Sequence, residues 1–543
     1  MTPTLRLVRL LAAAVASLLL ASTVALGAAA PARADTYIPI TGTGSTWSQN
    51  ALDQWRKNVA ANYGMTVNYS GVGSSAGRRD FIAQTVDFAV SEIPFQAAPE
   101  DGSAPEQPTT AYAYMPIVAG GTSFMYNLQI GGKRVTNLRL SGEVITKIFT
   151  GAITNWNDPA IQADNPGLAM PDKGIVPVVR SDGSGSTAQF TLWMSKQYPA
   201  LWSAYNGGPG LTSQYKPTGA MKAQNGSLGV AGYVAQGYGE GAITYVEYSY
   251  AKNSGFPVAK VLNNSGYYIE PKATSVAVAL LQAQINQDPS SPDYLTQILD
   301  NVYNSGDPRS YPLSSYSYMI IPTATNTVFT AEKGNTLGTF ARYMLCEGQQ
   351  QADTLGYSPL PMNLVIAGSD QIKKIPGAGS TGVDVNSCNN PTFSPGDGPE
   401  SNALAKTAPQ PAPCDKQGPD QCVTGTGGAA ETPTDTTGTG NGGSSADAGS
   451  AGSGGGGTGA AASGAAAQAA SSGGAASYDE NGALISGGSG TVVAGGAVSS
   501  PFTLPDPGMG PQQWLMVAAG VLLLAAVIVP PLASRRLKRG GRS

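Results

Sequence analysis

One long stretch of the sequence has a composition that cannot form a packed core, and it ends the part of the chain that can. From Thr424 to Ser477 the chain consists almost wholly of Gly, Ser, Ala and Thr, with occasional Asp, Asn and Glu. Such a composition cannot bury enough apolar area to offset the entropy that is lost when the chain is ordered. We therefore predict a flexible linker over residues 424–510 and expect packed structure before it.

Residues 35–376 show the alternation that is typical of an α/β fold. Short apolar runs alternate with amphipathic segments, among them the stripe Trp47, Ala51, Trp55 and Val59 at helical spacing. The strand-like runs are Thr66–Tyr69, Val86–Val90, Met115–Met125, Ile175–Val179, Ala242–Val246 and Tyr316–Ile321. This order predicts largely parallel sheets that are covered by helices. Because the region is longer than one hydrophobic core usually supports, we expect two lobes.

The N-terminus is typical of an export signal. Arg6 and Arg9 precede an apolar stretch from Leu10 to Ala30, and the sequence Ala-Arg-Ala at 32–34 fits a cleavage site. We predict a signal peptide over residues 1–34. An uncleaved signal anchor is the alternative, because the apolar stretch is long for a signal peptide.

A second apolar segment lies near the C-terminus. The run from Trp514 to Leu532 carries no charge and is just long enough to cross a bilayer, which predicts a transmembrane helix over residues 511–534. The tail at 535–543 is basic, so the positive-inside rule places it in the cytoplasm. The expected localisation is the cell membrane, with a single pass and an extracytoplasmic folded region.

All four cysteines lie late in the sequence, and export favours disulfides between them. Spacing favours Cys414 with Cys422 and Cys346 with Cys388, although three pairings are possible. The segment 377–423 is rich in proline and carries three of these cysteines. We expect it to be a disulfide-stapled extension of the folded region.

The composition excludes several kinds of function. The chain contains no histidine, which removes Ser-His-Asp and Cys-His catalysis and metal sites that histidine ligates. A formal net charge of -4 is not the basic character of a nucleic-acid-binding protein. We predict no nucleic-acid partner, no metal, no cofactor and no catalytic residue, although a chain without histidine can still be an enzyme.

Three segments place small hydroxyl and glycine residues directly before a helix-like stripe. They are Thr41–Trp47, Gly71–Arg79 and Arg180–Thr187, and the helices that follow the second and third are expected at Asp80–Gln84 and Ala188–Lys196. The first turn of a helix has unpaired N–H groups and a partial positive charge, so it attracts an anion. Arg180 adds a planar fork of donors that matches two oxygens of a phosphate-like ligand. Together the segments predict a site for a tetrahedral oxyanion.

Each segment taken alone has a simpler explanation. Ser and Thr are common N-caps, and glycine-rich turns often precede helices. Asp182 either caps its helix or orients Arg180. Ser184 lies in a Gly-Ser-Gly turn, which is not the Gly-x-Ser-x-Gly arrangement of a nucleophile.

Longer motifs occur in an unbroken order between about Ile40 and Lys374. They are Gly42–Trp47, Val67–Ser75, Thr85–Phe88, Asn165–Leu168, Val179–Gly185 and Gly241–Tyr248. In these motifs the sequence resembles the phosphate-binding proteins of Pst-type ABC uptake systems, which have the two-lobed type II periplasmic-binding-protein fold. We expect the chain to cross between the lobes near Met115–Met125 and Tyr311–Ile321, and the ligand to be captured as the lobes close.

The resemblance also implies roles for individual residues around inorganic phosphate. The implied phosphate-binding residues are Thr46, Trp47 through its backbone N–H, Ser74, Glu92, Arg180 with Asp182 beside it, Ser184, Gly185 and Ser186. Three of these depart from the family pattern: Trp47 replaces Phe, Ser186 replaces Thr, and Glu92 replaces the Asp that accepts the proton of phosphate. The longer Glu92 side chain moves the acceptor oxygen, and pairing with Arg78 or Arg79 is the alternative use of this carboxylate.

By the same resemblance, the partner is a Pst-type ABC permease and the expected function is capture of inorganic phosphate for uptake. Two alternatives remain open from the sequence. One is an exported phosphatase-like enzyme, and the other is a wall-associated protein that uses the scaffold without a ligand.

Overall fold

The computed structural model describes residues 37–99, 102–288, 290–291, 293–429, 477–478 and 484–486. The expected signal peptide at 1–34, most of the linker at 424–510, the transmembrane helix at 511–534 and the basic tail at 535–543 lie outside the described residues. Among the helices within these ranges, none combines the length and the apolar composition that are needed to span a bilayer.

The elements alternate in the way that the sequence predicts. The described strands are β1 Ile40–Gly44, β2 Val67–Gly71, β3 Phe88–Ser91, β4 Tyr112–Tyr126, β5 Gln129–Ile130, β6 Lys133–Arg134, β7 Arg139–Leu140, β8 Val176–Arg180, β9 Lys222–Gln224, β10 Ala242–Glu247, β11 Val258–Leu262, β12 Tyr268–Ile269, β13 Gln284–Ile285, β14 Gln297–Ile298, β15 Ser314–Pro322, β16 Ser477–Tyr478 and β17 Leu484–Ser486. The described α-helices are α1 Gln49–Tyr63, α2 Ser74–Ile82, α3 Gly142–Phe149, α4 Pro159–Asp164, α5 Gly185–Gln197, α6 Pro199–Asn206, α7 Gly226–Ala235, α8 Tyr248–Ser254, α9 Ala273–Leu280, α10 Asp300–Tyr303, α11 Ala331–Leu345, α12 Ala352–Leu355, α13 Met362–Ile372 and α14 Ala403–Thr407. Short 3-10 turns occur at Gly237–Gly239, Glu347–Gln351 and Pro413–Asp415.

Most strands belong to one curled sheet with the order β2-β1-β3-β15-β4-β10-β8-β9, to which β7, β11 and β12 are joined at the side. β1 is parallel to β2 and β3, and β8 is parallel to β9 and β10. The expectation of parallel pairing fails in the middle, where β15 is antiparallel to β3 and β4, and β4 is antiparallel to β10. The reason is that β4 carries the chain from one half of the sheet to the other and β15 carries it back.

Two large hydrophobic cores lie along this sheet. The first is formed by side chains of β1, β2, β3, α1 and α11, and the second by side chains of α3, α5, β8 and β10. A smaller core lies among α7, α8 and β11. Each large core buries several aromatic side chains, each of which removes a large apolar area from water.

The chain passes between the two large cores at β4 and β15. Met115 of β4 belongs to the first core and Phe124 of the same strand belongs to the second. Leu313, directly before β15, belongs to the second core, and Tyr318 belongs to the first. These are the segments in which the sequence predicts the crossings.

Residues 377–401 begin an extension that packs on the first core. Ala378 and Phe393 are buried there, and Thr392 Oγ1 donates to the Leu360 carbonyl at 2.8 Å. A disulfide joins Cys346, at the end of α11, to Cys388. It fixes the extension to the helix that it follows.

The second part of the extension packs beside β7 and β11, on the side of the second core. The Arg139 guanidinium donates to the carbonyl oxygens of Cys414 at 3.1 Å and Asp420 at 2.7 Å. The second disulfide joins Cys414 to Cys422, so the structure has the pairing that spacing favours. Thr426 Oγ1 donates to the Val258 carbonyl at 2.5 Å, which places the end of the packed region beyond the expected boundary at residue 423.

Candidate anion site

Two of the three predicted anion segments form the first turns of helices. α2 begins at Ser74 and α5 at Gly185, several residues earlier than the sequence predicts. Ser184 ends the loop before α5 as its N-cap. Before α2, Gly73 has φ +93° and a Cβ there would lie 2.5 Å from Asp182 Oδ2, so the turn requires glycine. The predicted donors therefore lie where backbone N–H groups have no partner within their own helix.

The first turns of α2 and α5 contact each other directly. The N–H of Gly185 donates to Ser74 Oγ at 3.1 Å, and the N–H of Ser75 donates to the Gly183 carbonyl at 3.1 Å. A Cβ at Gly185 would lie 2.1 Å from Glu92 Oε2, so this approach also requires glycine. Because α2 follows β2 of the first half of the sheet and α5 follows β8 of the second, the contact joins the two halves.

The segment Thr41–Trp47 contacts the first turn of a further helix, α7. Thr46 Oγ1 lies 2.8 Å from Ser227 Oγ and accepts the Ser227 N–H at 3.1 Å, in the first turn of α7. The Trp47 N–H donates to Ser45 Oγ at 3.0 Å. The Trp47 indole is buried against Tyr357, with ring centroids 5.7 Å apart. The segment is thus held by its hydroxyls and by an aromatic contact before α1 begins at Gln49.

Glu92 is 1% exposed and is surrounded by hydroxyl donors. Oε1 accepts from Ser45 Oγ at 2.5 Å and from Ser317 Oγ, and Oε2 accepts from Ser74 Oγ at 2.8 Å. The backbone carbonyl of Glu92 accepts from Gln189 Nε2 at 2.7 Å. This carboxylate therefore has three hydroxyl partners and no cationic partner in the described part of the chain.

The alternative pairing of Glu92 with an arginine is not present. Arg78 is buried and its Nε lies 2.7 Å from Glu106 Oε2. Its Nη1 and Nη2 donate to Ser91 Oγ and Ser75 Oγ at 3.0 and 3.3 Å. Arg79 is exposed. Arg78 thus supports the loops that flank the site, and Glu92 remains turned toward the site.

Arg180 and Asp182 form a buried ion pair. Arg180 Nε donates to Asp182 Oδ1 at 2.7 Å, and Nη2 donates to Oδ2. Oδ1 also accepts the Gly226 N–H at 2.9 Å. Burial alone would raise the pKa of Asp182, but the adjacent Arg180 guanidinium and the Gly226 amide outweigh burial and hold the pKa below its usual value. Of the two roles open to Asp182, the structure has it orienting Arg180.

Comparisons with known proteins identify the family of this arrangement. A family model described as "PBP superfamily domain" matches residues 27–347. The phosphate-binding protein PstS of Xylella fastidiosa (strain Temecula1 / ATCC 700964) is 33% identical over 328 residues, covering 60% of this chain and 83% of the relative. The chain belongs to the PstS family of phosphate-binding proteins. Membership confirms the resemblance and the expectation of a binding protein rather than an enzyme.

A second relative and a solved structure match a similar share of the chain. PstS of Pasteurella multocida (strain Pm70) is 34% identical over 334 residues, covering 60% of this chain and 87% of the relative. A high-affinity periplasmic phosphate-binding protein (PfluDING), solved with bound phosphate, has a TM-score of 0.48 and 21% identity, covering 60% of this chain and 92% of that chain.

The predicted PstS-type ligands differ in what their polar atoms already contact. Ser184 Oγ accepts the N–H of Thr187 at 3.2 Å and so acts as a helix cap. Ser186 is 2% exposed, and its Oγ has no hydrogen-bond partner among the described residues. The described residues contain no group of three or more acidic or cysteine side chains that could hold a metal ion. The free Ser186 hydroxyl is a donor that an anion can use.

Sequence reasoning missed several residues of this PstS-family site. Ser45 lies within the first predicted segment, directly before the predicted ligands Thr46 and Trp47, and its Oγ donates to Glu92. Gly226 and Ser227 begin α7 after Asn225, which repeats the pattern of small and hydroxyl residues at a helix start. Ser317 had no local signal, because only the pairing of β15 within the sheet brings it to Glu92.

Proposed function

We propose that this PstS-family protein captures inorganic phosphate outside the cytoplasmic membrane and delivers it to a Pst-type ABC permease. One observation carries the proposal: the first turns of α2 and α5 meet beside a buried arginine and a buried carboxylate. Helix starts and arginine favour a tetrahedral anion, and the carboxylate favours an anion that still carries a proton.

Arg180 supplies the charge that attracts the anion. Its planar guanidinium has five N–H donors, of which three contact Asp182 and Ser227 in the described structure. The remaining donors are available to phosphate oxygens. Because Asp182 fixes the guanidinium plane, little side-chain entropy is lost when these bonds form.

Neutral donors complete the set. Ser74 Oγ already lies between Glu92 Oε2 and the Gly185 N–H, and rotation of its hydroxyl lets it donate to phosphate instead. Ser186 Oγ is buried and unpartnered within the described residues. Thr46 contributes a hydroxyl, and Trp47 and Gly185 contribute backbone N–H groups that donate to Ser45 Oγ and Ser74 Oγ in the described structure and can be shared with the anion. We assign phosphate contact to these residues as a proposal.

Glu92 is the group that distinguishes phosphate from sulfate. Near neutral pH phosphate carries at least one proton and sulfate carries none. Oε2 accepts one hydrogen bond in the structure and a carboxylate oxygen has room for two, so it can accept the proton of phosphate. Against sulfate it presents only unpaired negative charge, which opposes binding.

Calorimetric titration of the purified folded region with phosphate, arsenate, sulfate and molybdate tests the proposal. We expect one phosphate per chain, with sulfate at least about tenfold weaker because the buried carboxylate has no proton to accept from it. Arsenate, which is protonated in the same pH range, should follow phosphate. Absence of phosphate binding, or equal binding of sulfate, would contradict the assignment.

Membrane tethering is the second part of the proposal and rests on sequence. The apolar run Trp514–Leu532 and the basic tail after it support a single-pass anchor. The chain between residue 429 and this run, treated as a coil, spans about 50 Å root-mean-square, enough to hold the binding region away from the bilayer.

Protease treatment of intact, wall-stripped cells tests the tether. Cleavage within residues 430–500 should release a soluble phosphate-binding fragment, while the tail at 535–543 stays protected. A chain that ends at residue 510 is the control and should appear in the medium without protease. Protection of the linker together with cleavage of the tail would show the opposite orientation.

A further inference from the structure

One oxygen of the Glu92 carboxylate is held by two serines from distant parts of the chain. Ser45 follows β1, and Ser317 lies in β15; both hydroxyls donate to Oε1. Both serines are buried, at 1% and 0% exposure. We propose that Ser45 and Ser317 are positioning residues that fix Oε1, so that Oε2 faces the anion and sets the preference for phosphate over sulfate. The inference rests on the proposed function.

Ser45 is restrained on every polar atom. Its N–H donates to the Val90 carbonyl at 2.9 Å, and its carbonyl accepts from the Tyr69 hydroxyl at 2.8 Å. Its Oγ accepts the Trp47 N–H at 3.0 Å while donating to Glu92 at 2.5 Å. A hydroxyl that accepts from one side donates more strongly on the other. Ser45 is therefore a fixed donor whose proton is directed at Oε1.

Ser317 reaches Glu92 because of the register of β15 against β3. Tyr318 pairs with Ser91 in this antiparallel pair, so Ser317 and Glu92, the next residues along the two strands, lie opposite each other. On the other side of β15, the pairing with β4 shifts by one residue between Ser317 and Tyr318, but the extra residue is Ile117 of β4, so the alternation of β15 is unbroken. Tyr316 and Tyr318 both point into the first core, with ring centroids 5.3 Å apart, so the alternation of the strand turns Ser317 to the opposite face.

The two carboxylate oxygens of Glu92 therefore differ in their hydrogen-bond partners and in their proposed roles. Oε1 accepts two hydroxyls that belong to the first half of the sheet and to its crossing strand. Within the described part of the chain Oε2 accepts only Ser74 Oγ, and it lies beside Gly185, at the start of α5. Without the two serines, Ser74 Oγ would be the one hydroxyl left of the three that donate to the carboxylate in the described structure, and the distance of Oε2 from the anion would vary more. The serines thus compensate for the extra methylene of Glu by locking the longer side chain.

Titrations of Ser45→Ala, Ser317→Ala and the double variant with phosphate and with sulfate test the inference. Each single variant should bind phosphate about three- to tenfold more weakly, because one of the two hydrogen bonds that fix Oε1 is lost while the other remains. Sulfate, which gains nothing from Oε2, should change less than about twofold, so the affinity ratio falls. In the double variant the ratio should approach that of Glu92→Gln.

Ser314→Ala is the matched control. Ser314 is a buried serine of the same strand whose Oγ donates to the Tyr311 carbonyl at 2.8 Å rather than to Glu92. It should leave the ratio unchanged. If Ser317→Ala does not fold, as judged by thermal unfolding without ligand, Ser45→Ala decides the question alone because it removes the other donor to the same oxygen.

The outcomes separate the two proposals. An unchanged phosphate-to-sulfate ratio in the single and double variants, in a protein that binds phosphate, overturns the positioning role and leaves the function intact. A native protein that binds no phosphate overturns both. A ratio that falls equally in Ser314→Ala shows a general effect of β15 and also overturns the role assigned to Ser317.

Discussion

The site contains two buried carboxylates, Glu92 and Asp182, that are stabilised in different ways. Asp182 is paired with the Arg180 guanidinium and one backbone N–H, so its charge is neutralised where it lies. Three hydroxyl groups donate hydrogen bonds to Glu92, and no cation pairs with it within the described residues. Its negative charge is therefore hydrogen-bonded but not neutralised. The first arrangement orients a cation for the anion. The second leaves a negative charge in place, and that charge can discriminate between anions by their protons.

The two arrangements also differ in the free energy that is lost when one of their hydrogen-bonding or charged partners is removed. Removing one partner of a buried ion pair leaves an uncompensated charge and typically costs about 3–5 kcal/mol. Removing a hydroxyl that donates to a charged group typically costs about 1.5–3 kcal/mol. Changes at Arg180 should therefore affect stability and affinity together, whereas changes around Glu92 should act mainly on selectivity.

Arg180→Ala should have the largest effect. We expect phosphate affinity to fall by more than about tenfold, since charge-assisted bonds to an oxyanion are strong. We also expect about 3–5 kcal/mol of destabilisation without ligand, because Asp182 stays buried and unpaired. Calorimetry and urea unfolding measure the two quantities.

Arg309→Ala is the matched control for Arg180→Ala. Arg309 also forms a two-bond pair with an aspartate two residues away, Asp307, but the side chains are 18% and 31% exposed. This variant should leave phosphate affinity unchanged and destabilise the protein less. Unchanged affinity in Arg180→Ala would remove Arg180 from the site.

Glu92→Gln should have the next largest effect, which we expect on the selectivity for phosphate over sulfate. The amide oxygen that this substitution introduces can still accept from Ser45 and Ser317, which places the NH₂ group where Oε2 lay. That group donates to any anion, so sulfate binding should improve and the phosphate-to-sulfate ratio should fall by at least about tenfold. Competition titrations measure the ratio.

Glu247→Gln is the control for that charge. Glu247 is fully buried without being one of the predicted ligands, and burial raises the pKa of its carboxyl well above the usual value. Gln keeps the shape of this side chain and an oxygen that can accept the Ser249 N–H, which donates to Glu247 Oε2 at 2.7 Å. The ratio should stay at the native value in this variant. Equal selectivity in native protein and Glu92→Gln would show that Glu92 does not discriminate.

The acid stability of the protein should report the Asp182 pair. Because Arg180 holds the folded-state pKa of Asp182 below its unfolded value, the pair contributes stability that is fully present above the unfolded pKa, about 3.9. That contribution is lost as the pH falls through the folded-state pKa. Urea unfolding between pH 6 and about pH 2 should show a shallower acid-side loss in Asp182→Asn than in the native protein. An identical slope would mean that other carboxyl groups dominate acid unfolding.

The same contrast explains what the sequence could predict. Arg180 and Asp182 are two residues apart at the end of β8, so their pairing depends on local sequence alone. The Glu92 environment joins Ser45, Ser74 and Ser317, and the last of these is 225 residues away in sequence. Only the antiparallel register of β15 against β3, in which Tyr318 pairs with Ser91, brings that hydroxyl to the carboxylate.

Strands were predicted better than helix starts for a related reason. The apolar run Met115–Met125 lies within β4 because a strand that is buried on both faces needs continuous apolar residues. α2 and α5 begin earlier than their apolar stripes, at Ser74 and Gly185, where the residues are polar or lack a side chain. A hydrophobic pattern does not predict these first turns, because they face the site instead of a core and carry no apolar stripe.

Ser227→Ala should have the smallest effect, and it tests the contribution of a neutral hydroxyl beside Arg180. Ser227 Oγ accepts from Arg180 Nη1 at 3.3 Å and lies 2.8 Å from Thr46 Oγ1, so it links the arginine to the first segment. The arginine keeps both bonds to Asp182 without it, so we expect phosphate affinity to fall only about threefold, at the low end for the loss of one hydrogen bond. Ser123→Ala, a buried serine whose Oγ donates to the Val246 carbonyl at 2.8 Å, is the control and should leave affinity unchanged. A loss as large as that of Arg180→Ala would mean that Ser227 binds the anion itself, and the Arg180 side of the site would then depend on neutral hydroxyls as much as the Glu92 side does.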